Sequence, residues 1–453
     1  MRALLHYMGT ITLCTGMLML IPALVSLGLG EQSLAPAFAI PALATAALGY
    51  GMYRAGVGGE LNLRLAFAVS SIGWALVALI GSLPYVLSGV LSPLDAYFEA
   101  MAGFTTTGIT MVTPEELPRS VLLWRSLTQW IGGMGIVVLF LALFAPAGAA
   151  KLYTAEARTE RLEPSLARTA RRIFYIYTYL TLAGVLLIYL SGSTVFEAVN
   201  HGLTAISSGG FSPRNDSYAG MPEMVKAATV VVMLMGGVSF ALHQRWLEGR
   251  LREVLGSTEL RAMLVFVGAG ALALYLEGVP PLDAVFTSVS AVTTTGFGVV
   301  DLNSLSEASK YVLFLLLLVG GGYGSTAGGL KVIRVVACFK AVLWFLQRST
   351  SPRSRIVRTK LQGRVMEEEE MLAVVLFTLL YLIFIALGTG IFVFLGHDLI
   401  TSAFTIATAQ GNNGLVLLSE YTTLEKVVML FYMWLGRLEL IPVLILFMWR
   451  SAR

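Results

Sequence analysis

Apolar segments long enough to cross a bilayer follow one another along almost the whole of this 453-residue chain. Lipid offers no hydrogen-bond partner to a bare N–H or C=O, so each crossing must satisfy its backbone internally, as a helix does. Ten spans of suitable length lie near Met8–Gly28, Ser33–Tyr53, Leu65–Leu91, Val121–Phe144, Ile173–Ser191, Val225–Arg245, Ala262–Glu277, Lys310–Leu346, Met371–Leu395 and Val427–Trp449. Only 13% of residues are charged and 56% are hydrophobic, whereas soluble domains carry about 25% charged side chains. No room is left for a separate soluble domain, and the expected fold class is an all-α polytopic membrane protein. The first apolar stretch shows no small-residue cleavage site and is read as retained. Cys14 and Cys338 both lie in apolar runs, which excludes a disulfide framework.

The net charge of +4 does not point to nucleic acid, because its distribution has another meaning. Basic residues crowd into Arg54 and Arg64, Lys151 to Arg172, Arg245 to Arg261, Arg334 to Arg364, and Arg450 with Arg453. The alternate loops hold few, chiefly Arg119, Arg125, Arg214, Lys226, Lys310 and Lys426. That asymmetry places the basic loops in the cytoplasm. Both termini then lie inside, as an even number of spans requires. The bilayer is the first partner, and no nucleic acid is expected.

Between alternate spans sit shorter stretches of ten to fourteen residues, too short to cross and suited to re-entrant helices. They begin at Ser92-Pro93-Leu94-Asp95, Thr194-Val195-Phe196-Glu197, Pro280-Pro281-Leu282-Asp283 and His397-Asp398. The first two have the spacing of a capping box, and proline suits a first helical turn. Their endings are Thr105-Thr106-Thr107-Gly108, Ser207-Ser208-Gly209-Gly210, Thr293-Thr294-Thr295-Gly296 and Gly411-Asn412-Asn413-Gly414. Phenylalanine stands ten residues before the last glycine in three of them (Phe98, Phe286, Phe404), and Phe196 stands fourteen before Gly210. That reads as one extra helical turn in the second. The chain thus divides into two N-terminal spans, residues 1–56, and four copies of span, short helix, polar loop, span at 57–150, 151–256, 257–350 and 351–453.

Extended backbone at membrane depth is tolerated only where it is buried or lines a wet cavity. Four polar-glycine loops around one axis would present rings of carbonyl oxygens to a cation shedding its water. A single such run is an ordinary loop ending; repetition in register with four span pairs is what points to an ion path. Each short helix would aim its negative end at the centre. Acidic residues follow every loop, Glu115 and Glu116, Asp216 and Glu223, Asp301 and Glu307, Glu420 and Glu425, and would gather cations at the mouth.

The pattern resembles the Trk/Ktr/HKT superfamily of potassium transporters, and in particular its Trk-type membrane subunits. The most specific stretches are Gly103 to Gly108, Ser208-Gly209-Gly210-Phe211-Ser212, Gly321 to Arg334, Trp130 to Gly135, and Gly436-Arg437-Leu438-Glu439. The two additional N-terminal spans favour the Trk type. The fourth loop departs from the family pattern, because Asn412-Asn413 is followed by Gly414-Leu415-Val416. The resemblance implies K⁺ held by carbonyls of Thr106, Thr107, Gly108, Ser208, Gly209, Gly210, Thr294, Thr295, Gly296, Asn412, Asn413 and Gly414. Gly108, where sodium-favouring members carry serine, points to potassium over a sodium-selective or unselective transporter. It also implies a homodimer in a bacterial or archaeal plasma membrane, working with a cytosolic nucleotide-binding regulatory subunit, a TrkA-like ring. No organic cofactor is expected in this chain, and no catalysis.

The eighth span, Lys310–Leu346, is 37 residues, about 55 Å as one helix at about 1.5 Å per residue. Its centre runs from Gly320 to Gly329, and so many glycines favour two half-helices joined by an intramembrane loop. Gly329-Leu330-Lys331 lacks the Gly-Lys-Ser/Thr of a phosphate-binding loop. A membrane-embedded serine hydrolase built on Ser325 would need a histidine base, and His6, His201, His243 and His397 all stand away from span centres. In the resembled family this loop crosses the pore beneath the filter as its gate, which assigns Gly321, Gly322, Gly324, Ser325, Thr326, Gly328, Gly329 and Lys331 to the gate. Arg437, too deep to snorkel easily, faces a cavity or partner and joins them as a positive element under the filter; Glu439 lies on another helical face.

Overall fold

The computed structural model describes residues 2–59, 63–135, 165–352 and 357–448. The inner part of the expected fourth span (136–144), the basic run 151–164 and the end of the tenth span lie outside them, as does the boundary expected at 150. Among the described residues the protein is helical apart from one small hairpin, β1 (Lys360–Leu361) and β2 (Arg364–Val365).

Among the described residues, six stretches are long and apolar enough to cross a membrane without interruption: Arg2–Gly28, Gln32–Ala55, Arg64–Leu87, Arg168–Leu190, Thr258–Leu276 and Glu368–Phe394. The first is α1 (Arg2–Leu18) with α2 (Leu20–Gly28), and the second contains α3 (Ala35–Ala55). The other four are α4 (Leu63–Leu87), α7 (Leu166–Leu190), α12 (Thr258–Leu276) and α16 (Glu368–Phe394), the leading span of each expected unit. The N-terminal pair packs backbone to backbone, since a Cβ on Gly9, Gly16 or Gly49 would strike the facing helix. Glu31, in the turn between them, accepts from the N–H groups of Arg119 and Ser120 at 2.9 and 3.0 Å. It thereby caps the open N-terminus of α6 (Arg119–Met134).

The second helix of every unit ends short of a full crossing, at 16, 15, 13 and 15 residues, where the sequence led us to expect a break in the eighth span alone. The helix α9 (Glu223–Gly237) bends by 105° into α10 (Phe240–Leu247), which α11 (Leu251–Gly256) follows. Next, α14 (Glu307–Val319) is separated from α15 (Val332–Thr350) by the expected loop, and α18 (Thr423–Arg437) stops before α19 (Ile441–Met448) at Glu439 and Leu440, with φ of 51° and 62°. The first of these, α6, ends at Met134 beside Gly135, with φ 88°. A recurring apolar-glycine pair marks each break: Ile131-Gly132, Met235-Gly236, Val319-Gly320 and Leu435-Gly436. Glycine is needed there because the second helix touches the end of a short helix. A Cβ on Gly132 would run into the Phe104 carbonyl, one on Gly236 would lie 2.8 Å from the Ala205 and Ile206 carbonyls, and one on Gly436 would meet the Gln410 carbonyl.

The four short helices are α5 (Pro93–Phe104), α8 (Val195–Ile206), α13 (Pro281–Val292) and α17 (Leu399–Gly411). Each packs against the leading and second helices of its own unit and against the second helix of the unit before, with α5 reaching α18 to close the ring. Sixteen residues separate each N-cap from its glycine: Ser92 to Gly108, Thr194 to Gly210, Pro280 to Gly296, Asp398 to Gly414. The second helix therefore has no extra turn. The place of Phe98, Phe286 and Phe404 is taken there by Asn200, which accepts from Ser126 at 2.6 Å, and Phe196 lies in the first turn instead.

Candidate functional site

All four short helices end in the same backbone turn. Thr106, Ser208, Thr294 and Asn412 take φ of 56°, 54°, 54° and 51°, and two residues on Gly108, Gly210 and Gly296 take 79°, 81° and 87°. A left-handed residue with a side chain costs on the order of 1–2 kcal/mol, so four at equivalent positions are held by their surroundings. Gly414 is the exception, lying outside the positive-φ set. Its corner is built differently because α17 runs on to Gly411 and Asn412, tolerant of the left-handed region, caps it.

The loops meet main chain to main chain. A Cβ on Gly108 would strike the Gly209 carbonyl, one on Gly210 the Thr295 carbonyl, one on Gly296 the backbone of Gly414. A Cβ on Gly414 would lie 3.2 Å from the Gly296 carbonyl and 3.3 Å from that of Thr107, which closes the circle. Side chains brace the ring from behind. Gln129 donates to the Gly209 carbonyl at 2.6 Å and accepts from Phe211 N at 3.0 Å. Asn413 donates to the Ala291 carbonyl at 3.1 Å, and Asn412 donates to Thr107 Oγ1 at 3.0 Å. Matching hydroxyl pairs, Thr105 with Thr107 and Thr293 with Thr295, both stand at 2.8 Å.

A cavity of about 780 Å³ opens on the outer side of Gly108, Gly210, Gly296 and Gly414, with Asp95, Arg214, Asp301, Glu420 and Lys426 in its wall. Of the eight acids expected to ring the mouth, Asp301 and Glu420 line it. Others serve structure: Glu115 accepts from Asn215 N at 2.8 Å, and Glu425 caps α18 while meeting His397 at 2.7 Å. Arg214 bonds Asp216 and holds its carboxyl below the ordinary carboxylate range.

On the inner side only about 50 Å³ remains, between Trp74, Ser325, Gly328, Lys331, Asn412 and Arg437. The segment 320–331 fills the rest. Its main chain is anchored by Gly322 N to the Gly237 carbonyl at 2.8 Å, Leu330 N to the Leu318 carbonyl at 3.1 Å, and Tyr323 N to Glu259 at 2.5 Å. Lys331, with φ 74°, donates from Nζ to the Ala327 carbonyl. Ser325 Oγ donates to the Gly322 carbonyl at 2.6 Å and accepts from Ala327 N at 3.2 Å, a turn-forming role. Gly324 and Gly329 take φ of 71° and 74°, and Gly321 and Gly328 sit where a Cβ would strike Ala327 and the Gly411 carbonyl.

This segment and Arg437 together engage all four left-handed residues. Thr326 Oγ1 lies 2.9 Å from Ser208 Oγ, Gly328 N donates to Thr294 Oγ1 at 2.7 Å, and Arg437 Nη1 donates to Thr106 Oγ1 at 3.3 Å. A Cβ on Gly328 would come within 3.2 Å of Asn412 Cβ. Arg437 also donates to the Thr326 carbonyl at 3.4 Å and to the Gly132 carbonyl, with its guanidinium 5.1 Å from the Trp74 ring centre.

Several residues escaped the sequence reading. Arg125, counted among outer-loop cations, lies inside α6 at 1% exposure, with its Nε 2.7 Å from the equally buried Glu99. Lys226 likewise stands in α9, paired with Asp283 at 2.9 Å. Glu439, just past the end of α18, pairs with Arg334 of α15 at 2.5 Å. A charge inside an apolar span was the available sign in each case.

The TrkH family profile, described as cation transport protein, matches residues 35–270 and 254–452. The chain is 35% identical to an uncharacterized cation transporter of Methanocaldococcus jannaschii, over 98% of this chain and 95% of that one. It is 32% identical to the Trk system potassium uptake protein TrkH of Halomonas elongata, over the full length of both. The crystal structure of the potassium transporter TrkH from Vibrio parahaemolyticus superposes with a TM-score of 0.88 at 27% identity, over 100% of this chain and 99% of that one. This multi-pass membrane protein therefore belongs to the TrkH family of cation transport proteins, which are transporters and not enzymes.

Proposed function

We propose that this protein takes up potassium across the plasma membrane through a single pore at the centre of its four units. The main observation in support is the closed circle of four loops, each with a left-handed residue and three of them with a glycine that admits no Cβ. In this reading, carbonyls of residues 106–108, 208–210, 294–296 and 412–414 replace the hydration shell of K⁺. The units are those expected at 57–150, 151–256, 257–350 and 351–453, behind two accessory spans. Segment 321–329, Lys331 and Arg437 form the gate, and the small cavity beneath the loops supports reading it as closed. Both termini face the cytoplasm, where a homodimer meets a nucleotide-binding regulatory ring. Relatives named as potassium uptake proteins support the choice of ion. The test is rubidium and sodium uptake by the purified protein in liposomes, with and without an opposing proton gradient. Preference for rubidium supports the reading; equal or greater sodium uptake replaces it with an unselective or sodium transporter.

A further inference from the structure

We propose that Glu99 and Arg125, which belong to none of the four loops, set ion discrimination by holding the outer limbs of the first two loops at a fixed separation. The inference rests on the reading of those loops as a filter. Arg125 uses three nitrogens. Nε donates to Glu99 at 2.7 Å, Nη2 to Thr110 Oγ1 at 3.0 Å, and Nη1 to the Ser212 carbonyl at 3.1 Å. Its plane lies over Phe211, 4.1 Å from the ring centre. Glu99 in turn accepts from Met111 N at 2.7 Å and from Thr110 Oγ1. Thr110 and Met111 stand two and three residues after Gly108 on the outer side, and Phe211 and Ser212 follow Gly210. One buried ion pair thus ties the exits of two adjacent loops, which otherwise meet at Gly108 and Gly209.

The pair is particular to this corner. At the equivalent places, seven residues past the N-cap and seven before the apolar-glycine break, the other units hold His201 with Thr229, Thr287 with Leu313, and Thr405 with Met429. Neutral side chains take that space elsewhere in the ring, His201 meeting Ser212 Oγ at 3.0 Å in the second unit, and buried ion pairs return little net stability over apolar replacements. What a rigid, planar, multiply bonded guanidinium adds is a fixed distance. A carbonyl site distinguishes two monovalent cations by the number and spacing of its oxygens, so slack at one corner falls on the smaller ion's side of the balance. Glu99 and Arg125 are positioning residues, acting through main chain they do not share with the ion.

The variant Glu99→Gln/Arg125→Met keeps an acceptor for Met111 N and removes both charges. In liposomes it should fold and melt close to the parent. Its rubidium-over-sodium uptake ratio should fall by roughly tenfold, the scale of one charge-assisted hydrogen bond, with a raised KM for potassium. Arg125→Lys, which keeps charge without the fork, should fall in between and decides the matter if the double variant does not fold. A folded variant with the parent's ratio and KM overturns the proposal. Gly108→Ser run in the same vesicles separates the two levels. If it lowers the ratio while the pair variants do not, the pair has no positioning role and the filter reading stands; if none of them changes the ratio, both fall.

Discussion

Replacing Arg437 with alanine removes a positive charge and a three-way tether from directly beneath the candidate filter. Arg437 Nη1 stands 3.3 Å from Thr106 Oγ1; taking a separation of about 6 Å between the guanidinium and an ion above it, two unit charges repel by about 3 kcal/mol at an effective dielectric near 20. That sets a ceiling of about a hundredfold on the gain in flux. The gain should be smaller, because Thr326 and Gly328 still block the path through their bonds to Ser208 and Thr294. We expect roughly tenfold, half the barrier in logarithmic terms. The carbonyls of Gly132 and Thr326 lose their donor, but Arg437 itself lines a cavity that gains the volume of the missing side chain, so water can replace the bonds. Arg437→Lys keeps the charge but cannot reach Thr106, Thr326 and Gly132 together, and should conduct between the two. Rubidium uptake at matched protein per vesicle measures all three. Equal flux for alanine and parent would refute the electrostatic argument and leave Arg437 a structural residue.

Gly108→Ser should lower the preference for potassium over sodium, since φ is 79° and its Cβ runs into the Gly209 carbonyl; reversal potentials in mixed ions read this directly, and unchanged values count against a filter at Gly108. Deleting part of Gly321–Gly329 should raise flux without any cytosolic partner, and a folded deletion that conducts no better than the parent shows that the segment is not a gate. Glu259→Ala should also raise flux, by about two- to tenfold, because it frees Tyr323 N from its 2.5 Å anchor in the first turn of α12. Glu259→Gln, which preserves the acceptor, should stay near the parent, and equal fluxes for alanine and glutamine would exclude the anchor.

The spans, the four short helices and their polar endings were legible because length, hydropathy and turn residues are local properties. The long eighth span announced its break by arithmetic alone. The other three breaks did not, since Gly132-Gly133, Gly236-Gly237 and Gly436 read equally well as close packing within an unbroken helix. What decides between them is the short-helix carbonyl each glycine meets, a tertiary contact within each unit between different helices. Aligning units on phenylalanine misplaced Phe196, because one side chain is a poorer ruler than the constant spacing from N-cap to glycine. Arg125 was hidden for a related reason. A tally of basic residues along loops has no way to recognise a cation neutralised inside the protein by Glu99. The ring of acids failed similarly, as capping and pairing claim carboxylates that composition alone offers to the solvent.

The same left-handed turn that shapes each loop also aims a side chain at segment 320–331 or Arg437, and this makes the proposed gate and the proposed filter hard to separate. The hydroxyls of Thr106, Ser208 and Thr294 all bond the inner plug, through Arg437, Thr326 and Gly328 N. Those three residues carry backbone conformations that cost energy when unsupported, so withdrawing the plug removes part of what holds them. Water can solvate the freed hydroxyls, but it does not restrain φ. The loop-shortened protein should therefore discriminate less well between potassium and sodium at the same time as it conducts more. Arg437→Ala, which releases Thr106 alone, should lose less discrimination than the deletion, which releases Ser208 and Thr294. Uptake ratios for rubidium and sodium on these two variants test the order. A shortened protein that gains flux with the parent's ratio intact would mean that the outer braces, Gln129, Asn412 and Asn413, hold the ring without help from below.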